Sequence, residues 1–361
     1  MRSRAYLRGS LPTAALFALL TLTALPARAQ AVLKVSDDVS MKFGILMQPQ
    51  AEWGEDPTNR GYAQNLLLRR ARFIVGGQLA RNVTFFFETD APNSGKVVSG
   101  AKQGFGMVVQ DAFLSWKLRG EFTLDGGMIL TGVARNSLQG ATSLMTIDYG
   151  PYSFLHSGPT QNAAGRDTGF QLRGNPLGKH LEYRAGVWAG QRDGNSRQAL
   201  RGTARLQYSF LEPETGFFYT GTSFGKKRVL AVGCGVDTQK DYRLLAVDAF
   251  FDHPLGNGGL TAQADLMRYD GGETFTALRK QNVLYAEAGY HVNAVKLMPF
   301  ASYSSRNIAG TDAGDEWRFM VGLGYMAQGN NLNLKASAGK IDRRGDRSSN
   351  VFTVQLQGFF F

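Results

Sequence analysis

The 361-residue chain contains one cysteine, four histidines and 11 prolines. One cysteine excludes an internal disulfide framework and a thiolate zinc cluster. His156, His180, His253 and His291 are scattered, and no GxSxG, HExxH or P-loop pattern accompanies them. No catalytic constellation, metal site or cofactor is expected. Long hydrophobic runs are also missing. A membrane-spanning helix needs about 20 apolar residues, so a helical membrane bundle is excluded. A disordered chain is excluded by the 24 Phe, 13 Tyr and 4 Trp. What is present is glycine (44 residues), aromatic residues and a hydrophobic fraction of 43%. That profile fits an ordered all-β protein.

Arg2, Arg4 and Arg8 precede the apolar stretch from Ala14 to Leu25, and Ala27-Arg28-Ala29 follows it. This order predicts a secretory signal peptide over 1–29 and a mature single domain over 30–361. The mature chain carries 36 basic and 29 acidic residues, a net charge of +7. An exported basic protein points to anionic solutes or the anionic lipid surface, with its lipopolysaccharide phosphates, rather than to nucleic acid.

The mature chain alternates with period two. Trp317, Phe319, Val321, Leu323 and Tyr325 share one phase, while Arg318, Met320, Gly322 and Gly324 fill the other. Side chains on a strand switch faces at each residue, so one face is apolar and one polar. Many segments run longer than the usual five or six residues of a soluble strand. Aromatic residues such as Trp116, Tyr208, Tyr303 and Tyr325 sit near their ends, where membrane girdles lie. Backbone groups facing lipid need internal partners, so such strands must close into a barrel.

Sixteen strands are predicted, at 40–53, 66–79, 82–90, 107–118, 121–131, 166–174, 181–191, 200–210, 227–237, 242–252, 259–270, 282–292, 295–306, 316–327, 331–341 and 350–361. An even count places both termini on the periplasmic side of a Gram-negative outer membrane. Inner turns come out short and outer loops long, with two exceptions. Residues 211–226 are long for an inner turn, and 238–241 are short for an outer loop. An extra hairpin near 211–241 would give eighteen strands. The longest connection, 132–165, is read as a third outer loop folded into the lumen, with a short helix somewhere in Ala134–Ile147.

The lumen phase collects nearly equal numbers of basic and acidic residues. Its arginines are nonetheless clustered: Arg70 with Arg72, and Arg184 with Arg201 and Arg205. Arg135 lies on the long loop and Arg318 on a late strand. A guanidinium donates two parallel hydrogen bonds to phosphate or carboxylate. These seven residues are the candidate anion-binding, pore-lining set. The competing reading pairs them with Glu88, Asp167 and Glu182 to stiffen the wall.

Several segments, taken in order, resemble the phosphate-selective porin O and P family. They include Met41-Lys42-Phe43-Gly44, Leu68-Arg69-Arg70-Ala71-Arg72, Phe85-Phe86-Phe87-Glu88-Thr89-Asp90, Gln110-Asp111-Ala112-Phe113-Leu114 and Gly225-Lys226-Lys227-Arg228. The resemblance implies a sixteen-stranded homotrimeric outer-membrane porin selective for phosphate or polyphosphate. It also implies that the terminal Phe361 is the signal read by the barrel-assembly machinery. The expected function is a passive channel for small anions. The alternatives are a nonselective diffusion porin and a structural or adhesive barrel without a channel.

Overall fold

The computed structural model describes residues 32–56, 61–98, 100–161, 164–195 and 197–361. The predicted signal peptide lies outside the described residues. Sixteen antiparallel strands form a closed ring. In chain order they are β1 (Ser40–Glu55), β2 (Tyr62–Ala80), β3 (Val83–Asp90), β4 (Val108–Arg119), β5 (Phe122–Leu130), β6 (Arg166–Gly174), β7 (Leu181–Trp188) and β8 (Arg201–Ser209). They continue as β9 (Val229–Gln239), β10 (Tyr242–Leu255), β11 (Gly258–Asp270), β12 (Gln281–Val292), β13 (Leu297–Ile308), β14 (Glu316–Tyr325), β15 (Leu332–Arg343) and β16 (Ser349–Phe360). Each strand pairs with its neighbours in sequence, and β16 pairs with β1 through registers such as Phe352↔Trp53. Closure leaves no unpaired sheet edge to face lipid. The segment Val32–Lys34 lies outside the ring and pairs with Ser40–Lys42 at the start of β1.

The burial pattern is inverted relative to a soluble protein. Large apolar side chains point outward, as with Leu66 at 78% exposed and Phe170 at 64%. Charged groups such as Arg201, Asp111 and Asp265 are buried on the lumen side. Trp116, Tyr208, Tyr303 and Tyr325 face outward. This is the apolar band and aromatic girdle of a membrane barrel.

All sixteen predicted strands form, with ends shifted by a few residues, most at β2, which begins at Tyr62 rather than 66. The eighteen-strand alternative does not occur. Residues between β8 and β9 turn inward instead of adding a hairpin. The outer turn between β9 and β10 is only Lys240-Asp241, with Lys240 in the left-handed region at φ 54°.

Candidate channel and its charged wall

The connection between β5 and β6 folds into the lumen. It begins with a four-residue helix, α1 (Arg135–Leu138), buried against the wall. The Arg135 amide donates to Asp248 on β10 at 3.1 Å, and the Asn136 amide donates to Asp265 on β11 at 2.9 Å. Two wall carboxylates thus satisfy helix-end amides that have no internal partner. Val133, Ala134 and Tyr152 pack with Tyr242, Leu244, Met267 and Tyr269 on the wall. Close approach requires glycine on β9, because a Cβ on Gly235 would lie 2.4 Å from the Val133 carbonyl oxygen. Across the lumen, Lys335 Nζ donates to the carbonyls of Leu144 at 2.5 Å and Thr146 at 3.0 Å.

The inner turn between β8 and β9 rises to meet this loop. The Tyr219 amide donates to the Leu138 carbonyl, and the Gly140 amide donates to the Tyr219 carbonyl, each at 3.0 Å. Arg135 makes a two-pronged ion pair with Glu214 of the same turn, at 2.7 and 2.9 Å. Its guanidinium also lies 3.4 Å from the Phe250 ring centroid. Tyr219 stands among Arg135, Arg184 and Arg205, accepting from Arg205 Nε at 3.1 Å and donating to Glu182.

The seven predicted arginines fall into two groups. Five lie in the closed wall network. Arg72 pairs with Glu88 at 2.8 Å and Asp90 at 3.0 Å. Arg135 has Glu214, Arg184 has Glu182 at 2.7 Å, and Arg205 has Asp248 at 2.6 Å. Arg201 holds Asp237 at 2.6 Å and Asp167 at 3.2 Å. Each of these cations has at least one carboxylate of its own.

Arg70 and Arg318 belong to a different place. A cavity of about 470 Å³ opens between loop residues Thr146–Pro151 and the wall formed by β1, β2 and β12–β16. Gln50, Ser302, Ser304, Ser337 and Thr353 line it, together with Arg318. Asp148 faces this cavity and is shared by Arg69 at 2.6 Å and Arg70 at 2.7 Å. Partial burial works against its charge, but the two guanidiniums hold its carboxyl well below the usual range. Glu316 is likewise shared, by Arg318 at 2.5 Å and by Arg343, and Tyr152 donates to it. Nearby, Arg306 donates to the Gly314 carbonyl at 2.6 Å.

Arg69 was not legible as a site residue, because strict alternation puts it on the lipid face. The pairing of β1 with β2 jumps between Gln48 and Pro49, and Arg69 is the extra residue of the bulge. A bulge re-aims side chains. Pro49 opposite it was the available signal, since proline donates no ladder bond.

The sequence matches the family model described as phosphate-selective porin O and P over residues 46–225. Solved porin structures share the fold. An anion-selective porin from Comamonas acidovorans aligns with a TM-score of 0.61 at 12% identity, covering 89% of this chain and all of that one. OmpF from Salmonella typhi aligns at 0.60 and 15% identity, covering 90% and 98%. The trimer form of OmpT from Vibrio cholerae aligns at 0.56 and 13%, covering 90% and 100%. No curated protein matches the chain in sequence. With the closed sixteen-strand ring and the inward third loop, these matches establish that the chain belongs to the phosphate-selective porin O and P family and is an outer-membrane channel protein.

Proposed function

We propose that this porin is a passive diffusion channel for small anions, with phosphate or polyphosphate as its solute class. The observation that carries this reading is the sharing of Asp148 and Glu316. Each carboxylate answers two guanidiniums, so each site retains positive charge beside the cavity. Charge of one sign at a narrow, low-dielectric passage favours the opposite ion. In the remainder of the lining Lys96 is neutralised by Glu52 at 2.8 Å, and serine and threonine hydroxyls among apolar side chains offer hydrogen bonds without tight binding; conduction requires release as well as entry. The solute class comes from the family description, and the neighbouring anion-selective porin is consistent with it.

The second reading is a nonselective porin. It is favoured by the full pairing of Arg72, Arg135, Arg184, Arg201 and Arg205 within the wall. Addition of phosphate to single channels conducting chloride separates the two readings. Phosphate-dependent reduction of the chloride current at millimolar concentration supports the anion site; an unaffected current favours the general porin. Around this function, we place a mature chain of residues 30–361 after removal of a signal peptide and assembly as a homotrimer. Outer-leaflet lipopolysaccharide would contact the basic outer loops, and the barrel-assembly machinery would read Phe361.

A further inference from the structure

The inner mouth of the barrel has a chemistry that anion conduction does not use. A second cavity, of about 640 Å³, is bounded by the inner ends of β1–β3, by β4 and by the inward turn. Five phenyl rings form a continuous cluster along it. Phe86 lies 5.7 Å from Phe113, 5.7 Å from Phe218 and 5.8 Å from Phe361, while Phe217 lies 4.7 Å from Phe113 and 4.9 Å from Phe218. Four of the five are only half-buried, although they face the lumen rather than lipid. The site is shaped by its glycines. A Cβ on Gly76 would lie 2.8 Å from the Phe361 ring, and one on Gly44 would lie 2.7 Å from it. The missing side chains leave a notch in which the terminal ring is seated.

Cations border the rings. Lys42 Nζ lies 3.9 Å from the Phe361 ring centroid, at the edge of the cavity. Arg173 lies 5.3 Å from the Phe217 centroid, and its Nε donates to Asp125 at 2.7 Å. Ring faces attract edge hydrogens of another ring as well as cations. Lys42 supplies a positive charge at the rim of an apolar, aromatic surface. Ser40, Gln78, Thr84 and Ser115 add polar groups around it.

We infer that the inner mouth is a binding subsite for small aromatic carboxylates. The ring of the ligand packs among Phe86, Phe217, Phe218 and Phe361, and its carboxylate meets the Lys42 ammonium. This inference goes beyond the proposed anion channel and does not depend on which solute that channel conducts. A small hydrophilic anion such as phosphate gains nothing from the rings, and a neutral aromatic gains nothing from Lys42. Only a molecule with both features uses the whole site.

The test is equilibrium binding to the refolded full-length mature barrel in detergent, with benzoate, acetate and benzyl alcohol as probes. Benzoate is expected to bind at least tenfold more tightly than either of the others. Lys42→Gln should weaken benzoate at least tenfold and leave benzyl alcohol unchanged. Phe218→Leu should weaken benzoate several-fold, with heat-modifiable gel mobility reporting that each variant is folded. Arg344→Ala, on an exposed outer loop away from both cavities, should leave benzoate binding unchanged. Equal binding of benzoate and acetate would overturn the inference, as would full benzoate affinity in folded Lys42→Gln. Conductance of the same preparations in KCl is read separately. A conducting channel without benzoate preference removes the aromatic subsite alone, and a benzoate-binding barrel that does not conduct removes the channel reading alone.

Discussion

At the residue scale, the central distinction is between arginines that share a carboxylate and arginines that own one. Arg69→Ala and Arg318→Ala each remove one member of a shared pair and leave a neutral site beside the cavity. Each should lower the anion-to-cation permeability ratio by about twofold or more, measured as reversal potential. Arg201→Ala should leave selectivity nearly unchanged but destabilise the barrel, because Asp167 and Asp237 lose their buried partner. Glu214→Ala is a sharper stability test. It strips the buried Arg135 guanidinium of its counter-ion, which costs about 3–5 kcal/mol in comparable pairs. Urea unfolding from detergent should show that loss. His156 gives the pH dependence. Burial, aided by the neighbouring Arg201, pushes its imidazole down to about 4, and neither ring nitrogen has a hydrogen-bond partner among the described residues. The folded chain therefore binds the proton more weakly than the unfolded chain, whose histidine titrates near 6.5. Stability from neutral His156 is fully present above about pH 6.5 and falls as the pH drops toward 4, by about 3 kcal/mol in total. Amide exchange in residues 150–161 should accelerate across that window, and His156→Phe should remove the acceleration.

At the element scale, the third loop and the inner turn act as one body. They are joined by backbone hydrogen bonds at Leu138, Gly140 and Tyr219 and by the Arg135–Glu214 pair. Deleting residues 136–160 should raise single-channel conductance at least twofold, because the loop occupies lumen that would otherwise hold water. An unchanged conductance would mean that ions travel along a path the loop does not border. The strands and the loop differ in how they could be read. Each strand separates lipid from lumen, so its sequence alternates, and β14 shows this from Trp317 to Tyr325. The inward course of the loop was legible from its length and its breakers. The inner turn was not. Its alternation through Phe217–Phe224 is weak, and its position is decided by partners far away in sequence, Arg135 and Leu138. At β2, the bulge at Arg69 moved one arginine across the sheet, which a strict period of two cannot represent.

At the scale of the whole molecule, charge is unevenly distributed within a lumen whose total is near balance. The wall network beneath the third loop is saturated with carboxylates, whereas the cavity beside the loop is lined by Arg318, by Asp148 with its two arginines behind it, by the Lys96–Glu52 ion pair and by hydroxyls set among apolar side chains. Counting lumen charges along the sequence hides this, because the sum is indifferent to which side of the loop each residue faces. The same partition explains how a polar lumen supports a stable fold, since paired buried charges tie the loop and the inner turn to the wall. Anion selectivity is measured most directly as the reversal potential of the refolded mature chain in a planar bilayer under a KCl gradient. The expected potential lies on the anion side of zero and shifts toward zero in Arg69→Ala with Arg318→Ala. A potential at or on the cation side of zero in the unaltered channel would contradict it.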